Sequence, residues 1–268
     1  MSGASALRSV LLTPSPRLSR ASFILGIEEI LGDVRFLWTP QVGDAATSTD
    51  DSPTRRVITW DASVAARISA QGHGYVQTNT SAGTQGGSVP DTNDLSFNTA
   101  GLTDLAFSIV ALANVTDTAA ARTIFAKYDN AGTLREYLFN VGATDLLQLI
   151  LYDESLDKLP FRQSNAAITM GSPHLFGATY NGVGSTTAAD GIVLYQDAAV
   201  IASTATNDAL YVAMENTNTT PSVGRIDAAT GQFMDGAFSL VAVCAGVLTL
   251  AQMVALKNQC NQYFSLAL

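Results

Sequence analysis

Hydrolysis of a glycosidic bond with retention needs two carboxyl groups about 5 Å apart. On a strand, residues i and i+2 face the same way. Such enzymes therefore carry Glu and Asp alternating along one strand. The glutamates of this chain, Glu28, Glu29, Glu136, Glu154 and Glu215, are scattered, and no such alternation surrounds them. The densest acidic group, Asp153, Glu154 and Asp157, follows an apolar run and reads as a hairpin loop. A nucleophilic triad needs a histidine in the right setting. The two histidines, His73 and His174, lie in Gly-x-Gly and Pro-x-Leu contexts, and no Gly-x-Ser-x-Gly elbow is present. His174 reads as a packing or edge residue at a strand start. The Gly-rich piece Gly83–Ser88 has no Lys and no following helix, so it is a loop and not a phosphate cradle. The expectation is a protein that is not an enzyme, with no catalytic residues to assign.

Binding chemistry is less constrained. Calcium takes roughly six to eight oxygen ligands. Asp129, Asp153, Asp157, Asp190, Asp197 and Asp227 could contribute some, but none has the spacing of a known calcium loop. They read as turn residues, with a structural calcium the one cofactor left open. The stretch Glu215-Asn216-Thr217-Asn218-Thr219-Thr220 could hydrogen-bond a sugar or be a plain hydrophilic turn. Trp38 and Trp60 look like strand residues and not like exposed sugar platforms. Ligand-binding and metal-binding residues therefore stay unassigned. Cys244 and Cys260 stand at apolar positions, as buried thiols or as a strand-to-helix disulfide, and lack the neighbouring histidines of a zinc site.

The elements that would position these residues are legible from periodicity. Apolar residues make up 47% of the chain and charged residues 14%, enough to build a core and too apolar for disorder. A net charge of −9 argues against duplex nucleic acid as a partner. No run reaches the length of a membrane span. Arg8 interrupts the short apolar stretch near the start, so no signal peptide is expected and synthesis in a host cytoplasm is. From residue 95 onward short β segments recur: 95–97, 105–113, 122–128, 136–141, 146–152, 174–180, 191–196, 199–204, 222–225 and 236–246. Turn residues such as Asn181-Gly182, Asp190-Gly191 and Asp235-Gly236 separate them. Earlier strands are expected at 34–38, 57–60 and 74–78. With no helical stretch between the later strands, the fold class is all-β, a two-sheet antiparallel jelly-roll sandwich. The run from Ala237 to Val247 reads as a strand buried on both faces, followed by one short C-terminal helix that Thr249 caps. Ser22 could start a helix ending before Gly32. Residues 1–20, with Pro14, Pro16, Arg8, Arg17 and Arg20, read as an extended arm that cannot stay ordered alone. The domain's own surface, a sister subunit or a larger assembly must hold it. The expected division is an arm or anchor over 1–32 and a jelly roll over 33–268.

Four pieces in order resemble the laminin-G-like, concanavalin A-like lectin–glucanase superfamily: Ser88–Phe97 with Leu105–Ile109, Thr123–Tyr128, His174–Gly182 with Gly191–Asp197, and Asp235–Tyr263. Together they cover about residues 85–265. The chain departs from the pattern at Ala111 and His174, where Trp is usual, and at Ala198, where the turn usually has Gly. Ala242-Val243-Cys244 also replaces a more polar run. The resemblance implies a concanavalin A-like jelly roll of the kind found in bacteriophage virion proteins. It implies a non-enzymatic structural protein at the virion surface, a capsid decoration or tail-associated protein. Its partners would be other virion proteins and copies of itself, a homo-oligomer anchored by the arm. The alternative it implies is a lectin-like module for host surface glycans. A glycan-cleaving enzyme is the third reading. None involves nucleic acid or a membrane.

Overall fold

Runs rich in Val, Ile, Leu and aromatic residues, bounded by Gly, Asp and Asn, form the strands of the computed structural model. It describes residues 18–41, 46–61, 68–72, 74–79, 86–99, 103–116, 119–226 and 232–268. Most of the expected arm, His73, Gly83 to Gln85 and Asp227 lie outside the described residues. Helix α1 (Arg20–Leu31) opens the described chain. Strands β1 (Val34–Trp38), β2 (Thr47–Thr49), β3 (Val57–Trp60), β4 (Ile68–Gln71), β5 (Gly74–Asn79) and β6 (Gly87–Ser88) follow. The central run is β7 (Phe107–Val115), β8 (Arg122–Asp129), β9 (Leu134–Val141), β10 (Leu147–Leu151), β11 (Phe161–Ser164) and β12 (Pro173–Tyr180). It continues through β13 (Ile192–Gln196), β14 (Ala199–Val200), β15 (Ser203–Thr206), β16 (Ser222–Val223) and β17 (Gly236–Ala245) to helix α2 (Leu250–Phe264).

The strands make two antiparallel sheets, as the sequence predicts. The first runs β14-β13-β12-β7-β17-β5-β4, with β1 also paired to β17. The second runs β15-β11-β10-β9-β8-β16-β6-β3-β2. Alternate residues of the two inner faces fill the space between them. Phe107, Ile109, Ala111, Phe176, Tyr180, Val241 and Val243 from the first sheet meet Phe125, Tyr137, Phe139, Leu147 and Leu149 from the second. Trp38 and Trp60, one from each sheet, are buried with ring centroids 4.7 Å apart. The Trp60 indole N–H donates to Ser48 Oγ at 2.6 Å. Neither tryptophan can act as a sugar platform.

The first sheet is sealed on its other face as well. Val110, Leu112, Leu175, Tyr195, Leu240, Ala242 and Cys244 point outward and are covered by Phe23, Ile27 and Leu31 of α1 and Met253, Leu256, Cys260, Tyr263 and Phe264 of α2. This is why β17 is apolar at successive positions instead of alternating. Thr249 and Gln252 form a capping box at the start of α2, each side chain bonding the other's backbone. Helix α1 begins two residues before the expected Ser22, because Ser19 accepts the Ser22 N–H at 3.1 Å and so acts as the cap. Cys244 and Cys260 are free, and burial pushes each thiol up to about 12.

Two expected strands are corrected. Residues 95–97 do not form a strand. Asn93–Leu95 is a 3-10 turn, and Phe97 leaves it to stack on Phe107 with centroids 4.5 Å apart. The expected strand 199–204 is two strands, because the chain crosses between sheets there. Ala199–Val200 pair with β13 in the first sheet, and Ser203–Thr206 pair with β11 in the second. Strands β2, β4, β6 and β11 are short or polar and carry too little apolar pattern to be read from the sequence.

Several carboxyls are buried at loop roots. Asp104 accepts the Tyr180 hydroxyl at 2.5 Å, the Tyr211 hydroxyl at 2.8 Å and the Met214 N–H at 2.7 Å. Burial raises its pKa and those of Asp50, Asp61 and Glu136. At Asp94, burial is outweighed by hydrogen bonds from Thr92 and Arg56, and the pKa falls. A carboxyl raised in the folded state stabilises fully below its unfolded pKa of about 4, and that contribution is lost as pH rises through the folded value. The melting temperature is therefore expected to fall as pH is raised from about 4 toward neutrality. Asp104→Asn should flatten that fall while costing about 1–3 kcal/mol through mismatched hydrogen bonds. Calorimetric melts of both proteins across the range check it; an unchanged slope in the variant contradicts it.

Candidate functional site

Among the described residues, no helix covers the outer face of the second sheet. Residues directly opposite on neighbouring strands share a face. Ser222 lies opposite Ala126 on one side and Ser88 on the other. Ala126 belongs with Leu138 and Ile226 to a small apolar cluster separate from the main core, against which Tyr128 and Ile150 pack. Ser88, Ser222 and Ile226 are therefore on the outer face. They line a cavity of about 230 Å³ with Asp129, Leu134, Asn218, Thr219, Thr220 and Arg225.

The loop that supplies Asn218 and Thr220 is held from beneath. Lys127 and Glu136 are both fully buried, with Lys127 Nζ 2.7 Å from Glu136 Oε1 and 2.9 Å from Asp91 Oδ1. Glu136 Oε1 accepts the Thr217 N–H at 2.7 Å and its hydroxyl at 2.9 Å, and Lys127 Nζ donates to the Thr217 carbonyl at 3.1 Å. Asn216 is tied to Asn93 and Ser96. With Thr217 fixed, side chains alternate: Thr217 and Thr219 are buried, while Asn218 and Thr220 are exposed at the cavity. Among the described residues, neither exposed side chain has a hydrogen-bond partner.

The opposite wall is equally fixed. Arg225, 4% exposed, donates from Nη2 to Ser88 Oγ at 2.6 Å, and its Nε stands 3.1 Å from Asp61 Oδ2. Its aliphatic stem lies over Gly86, where a Cβ would collide with it. Asp129 caps the turn after β8, accepting the Gly132 N–H at 2.8 Å. The cavity thus combines a carboxylate, a paired guanidinium, an amide, hydroxyls and an apolar floor of Leu134 and Ile226. This set can exchange hydrogen bonds with a neutral polyol. Nothing in it acts as a nucleophile with a base beside it.

The other candidates from the sequence are dispersed. Asp153 accepts the Leu156 and Val212 N–H groups, and Asp190 takes the Asn207 amide. Asp157 binds Arg135 and Tyr152, and Glu154 pairs with Arg135, whose guanidinium lies 3.8 Å above the Tyr152 ring. As expected, Asp153 to Asp157 form a hairpin loop, closed by a bridge to Lys158. Among the described residues, no three His, Cys, Asp or Glu gather as a metal would require. His174 is not only an edge residue: it sits between Ser172 and Asp197. Of the cavity residues, sequence reasoning had singled out Asn218, Thr219, Thr220 and Asp129. It missed Arg225, whose role depends on pairing with a strand 137 residues away.

No family model matches the sequence, and no curated protein matches it. Solved structures do. The binding domain of Paraclostridial Mosquitocidal Protein 1 superposes with a TM-score of 0.58 at 12% identity, over 85% of this chain and 52% of that one. Domain 4 of AbnA, an extracellular arabinanase from Geobacillus stearothermophilus solved with arabinotriose, gives 0.56 at 12% identity, over 84% of this chain and 98% of that one. The botulinum neurotoxin serotype D ligand binding domain, solved with N-acetylneuraminic acid, gives 0.55 at 13% identity, over 87% and 52%. The fold these structures share with the chain is an antiparallel two-sheet jelly-roll sandwich. It spans about half the length of the toxin domains and nearly all of the arabinanase domain.

Proposed function

We propose that this jelly roll is a carbohydrate-binding module and that the cavity on the outer face of its second sheet takes one neutral sugar unit. The observation that carries the reading is the pair Asn218 and Thr220, exposed, unpartnered and held in place beside Asp129 over an apolar floor. Sugar hydroxyls both donate and accept, which an amide, a hydroxyl and a carboxylate answer together. The cavity is smaller than the roughly 300–1,000 Å³ typical of drug-sized ligands, which fits a single ring. Arg225 is already neutralised by Asp61, so the site offers no spare positive charge to an acidic sugar. The structural neighbours support a binding role by their described ligands, arabinotriose and N-acetylneuraminic acid. They lend no support to the virion role implied by the resemblance, so the glycan reading stands first.

A glycan array carrying neutral and sialylated structures tests it. Neutral glycans are expected to bind, and Asn218→Ala or Asp129→Asn should weaken that binding at least tenfold, about 1.4 kcal/mol. An array without hits, or hits untouched by both substitutions, removes this cavity from consideration.

A further inference from the structure

At the far end of the sandwich from that cavity, three side chains stand in a line. Ser172 precedes the paired part of β12 and is exposed. His174 is two residues on, so both project from the same side of the strand. Ser172 Oγ lies 3.0 Å from His174 Nε2, and His174 Nδ1 lies 2.6 Å from Asp197 Oδ2. Asp197 belongs to the turn between β13 and β14, where it adopts φ +53. The turn is clamped to β12 twice: Asp197 Oδ1 accepts the Leu175 N–H at 2.9 Å, and the Asp197 N–H donates to the Leu175 carbonyl at 2.8 Å. The imidazole also rests against Phe176, with ring centroids 6.0 Å apart. Gly171, just before Ser172, has φ +81 and no atom within 4 Å of where a Cβ would stand, so the approach to Ser172 is open.

The order of partners selects one tautomer of the neutral ring. A carboxylate only accepts, so Asp197 holds the proton of the neutral ring on Nδ1. Nε2 is then an acceptor, and Ser172 donates to it. A hydroxyl held this way against a base, with the base oriented by a carboxylate, is the arrangement that activates a serine.

We propose that Ser172 is an activated nucleophile for small activated esters, with His174 as its general base and Asp197 as a positioning residue. Ser172 Oγ forms a bond to the acyl carbon as its proton passes to His174 Nε2. The ester C–O bond breaks, and the alcohol leaves with that proton. Water then attacks the acyl-serine, giving its proton to the same nitrogen, and the acid departs with Ser172 restored. No redox partner is needed. Because the site is open and shallow, it discriminates little among small acyl groups.

The test uses the full chain with p-nitrophenyl acetate and, separately, a fluorophosphonate that traps the serine. Peptide mass spectrometry should find the adduct on Ser172. Ser172→Ala, an exposed change, should abolish adduct and turnover while leaving the melting temperature unchanged. His174→Gln keeps a polar side chain without a base and should slow labelling at least tenfold. Asp197→Asn, which tolerates the same positive φ, should slow it and alter the rate–pH profile, which a loss of stability alone would not do. No adduct on Ser172, or equal labelling of wild type and His174→Gln, overturns the proposal. Glycan binding at the other end is independent of every arm.

Discussion

Lys127→Met is expected to destabilise the protein by about 3–5 kcal/mol, the cost of stranding a charge in the interior. Both Lys127 and Glu136 are fully buried, and Lys127 is the only cation within reach of Glu136 Oε1 among the described residues. Taking the ammonium away leaves Glu136 facing Asp91 with no counter-charge and leaves the Thr217 carbonyl without its donor. Glu136→Gln should cost less, because an amide oxygen can still accept from the Thr217 N–H. The double change Lys127→Met with Glu136→Leu should recover part of the lost stability, since an apolar pair of similar volume avoids desolvating two ions. It should not recover the proposed glycan binding, because the ion pair that fixes Thr217 beneath Asn218 and Thr220 would be gone. Urea unfolding of the three variants, paired with the glycan assay, separates the two roles. A Lys127→Met midpoint equal to wild type would show that the pair contributes nothing net.

Phe23→Ala is expected to cost about 3–5 kcal/mol, in the range for truncating a buried aromatic. Phe23 is fully buried, stacked on Tyr263 with centroids 4.1 Å apart and edge-on to Phe264 at 5.4 Å. It joins α1 to α2, where Ile27 and Leu31 belong to the same apolar cluster and Gln252 Nε2 donates to the Ile30 carbonyl at 2.7 Å. Losing it should loosen both helices from the first sheet. The readout has two parts. Calorimetry reports the stability, and a thiol reagent reports the opening, because Cys260 is a fully buried residue of α2 whose burial pushes its thiol up to about 12. Wild type should react slowly and the variant several times faster. A variant with a lowered melting temperature and unchanged thiol reactivity would mean that the helices stay docked, contrary to this account.

The sandwich was legible in the sequence because its strands obey simple rules. Tyr137, Phe139 and Val141 recur at every second position and enter the main core, whereas Ala237 to Val247 is apolar at nearly successive positions because helices cover its other face. The Thr249 cap was visible as well, being local, while its partner Gln252 was seen only in the structure. What stayed hidden depends on contacts distant along the chain. Arg122 and Lys127 look like ordinary strand cations, and only the assembled sheet reveals that both are fully buried. The Ser172–His174–Asp197 line needs the β13–β14 turn to fold back on β12, and no spacing rule predicts that. The turn itself departs from the familiar pattern, since Ala198 takes φ +64 where a glycine would be at ease. The candidate cavity was half legible: the Asn and Thr loop announced itself as polar, while its rigidity came from a buried ion pair on two other strands.

The helix layer also decides how the molecule can be held. Leu18 at one end of the described chain and Leu268 at the other both pack into it, on the outer side of the first sheet. The cavity opens on the outer side of the second sheet. Whatever grips the protein near either of these residues therefore stands behind it, and the cavity turns away from the attachment like a palm facing outward. For biosensor work this makes Leu268 the natural coupling position, because a protein tethered there keeps its polar cavity toward the solution.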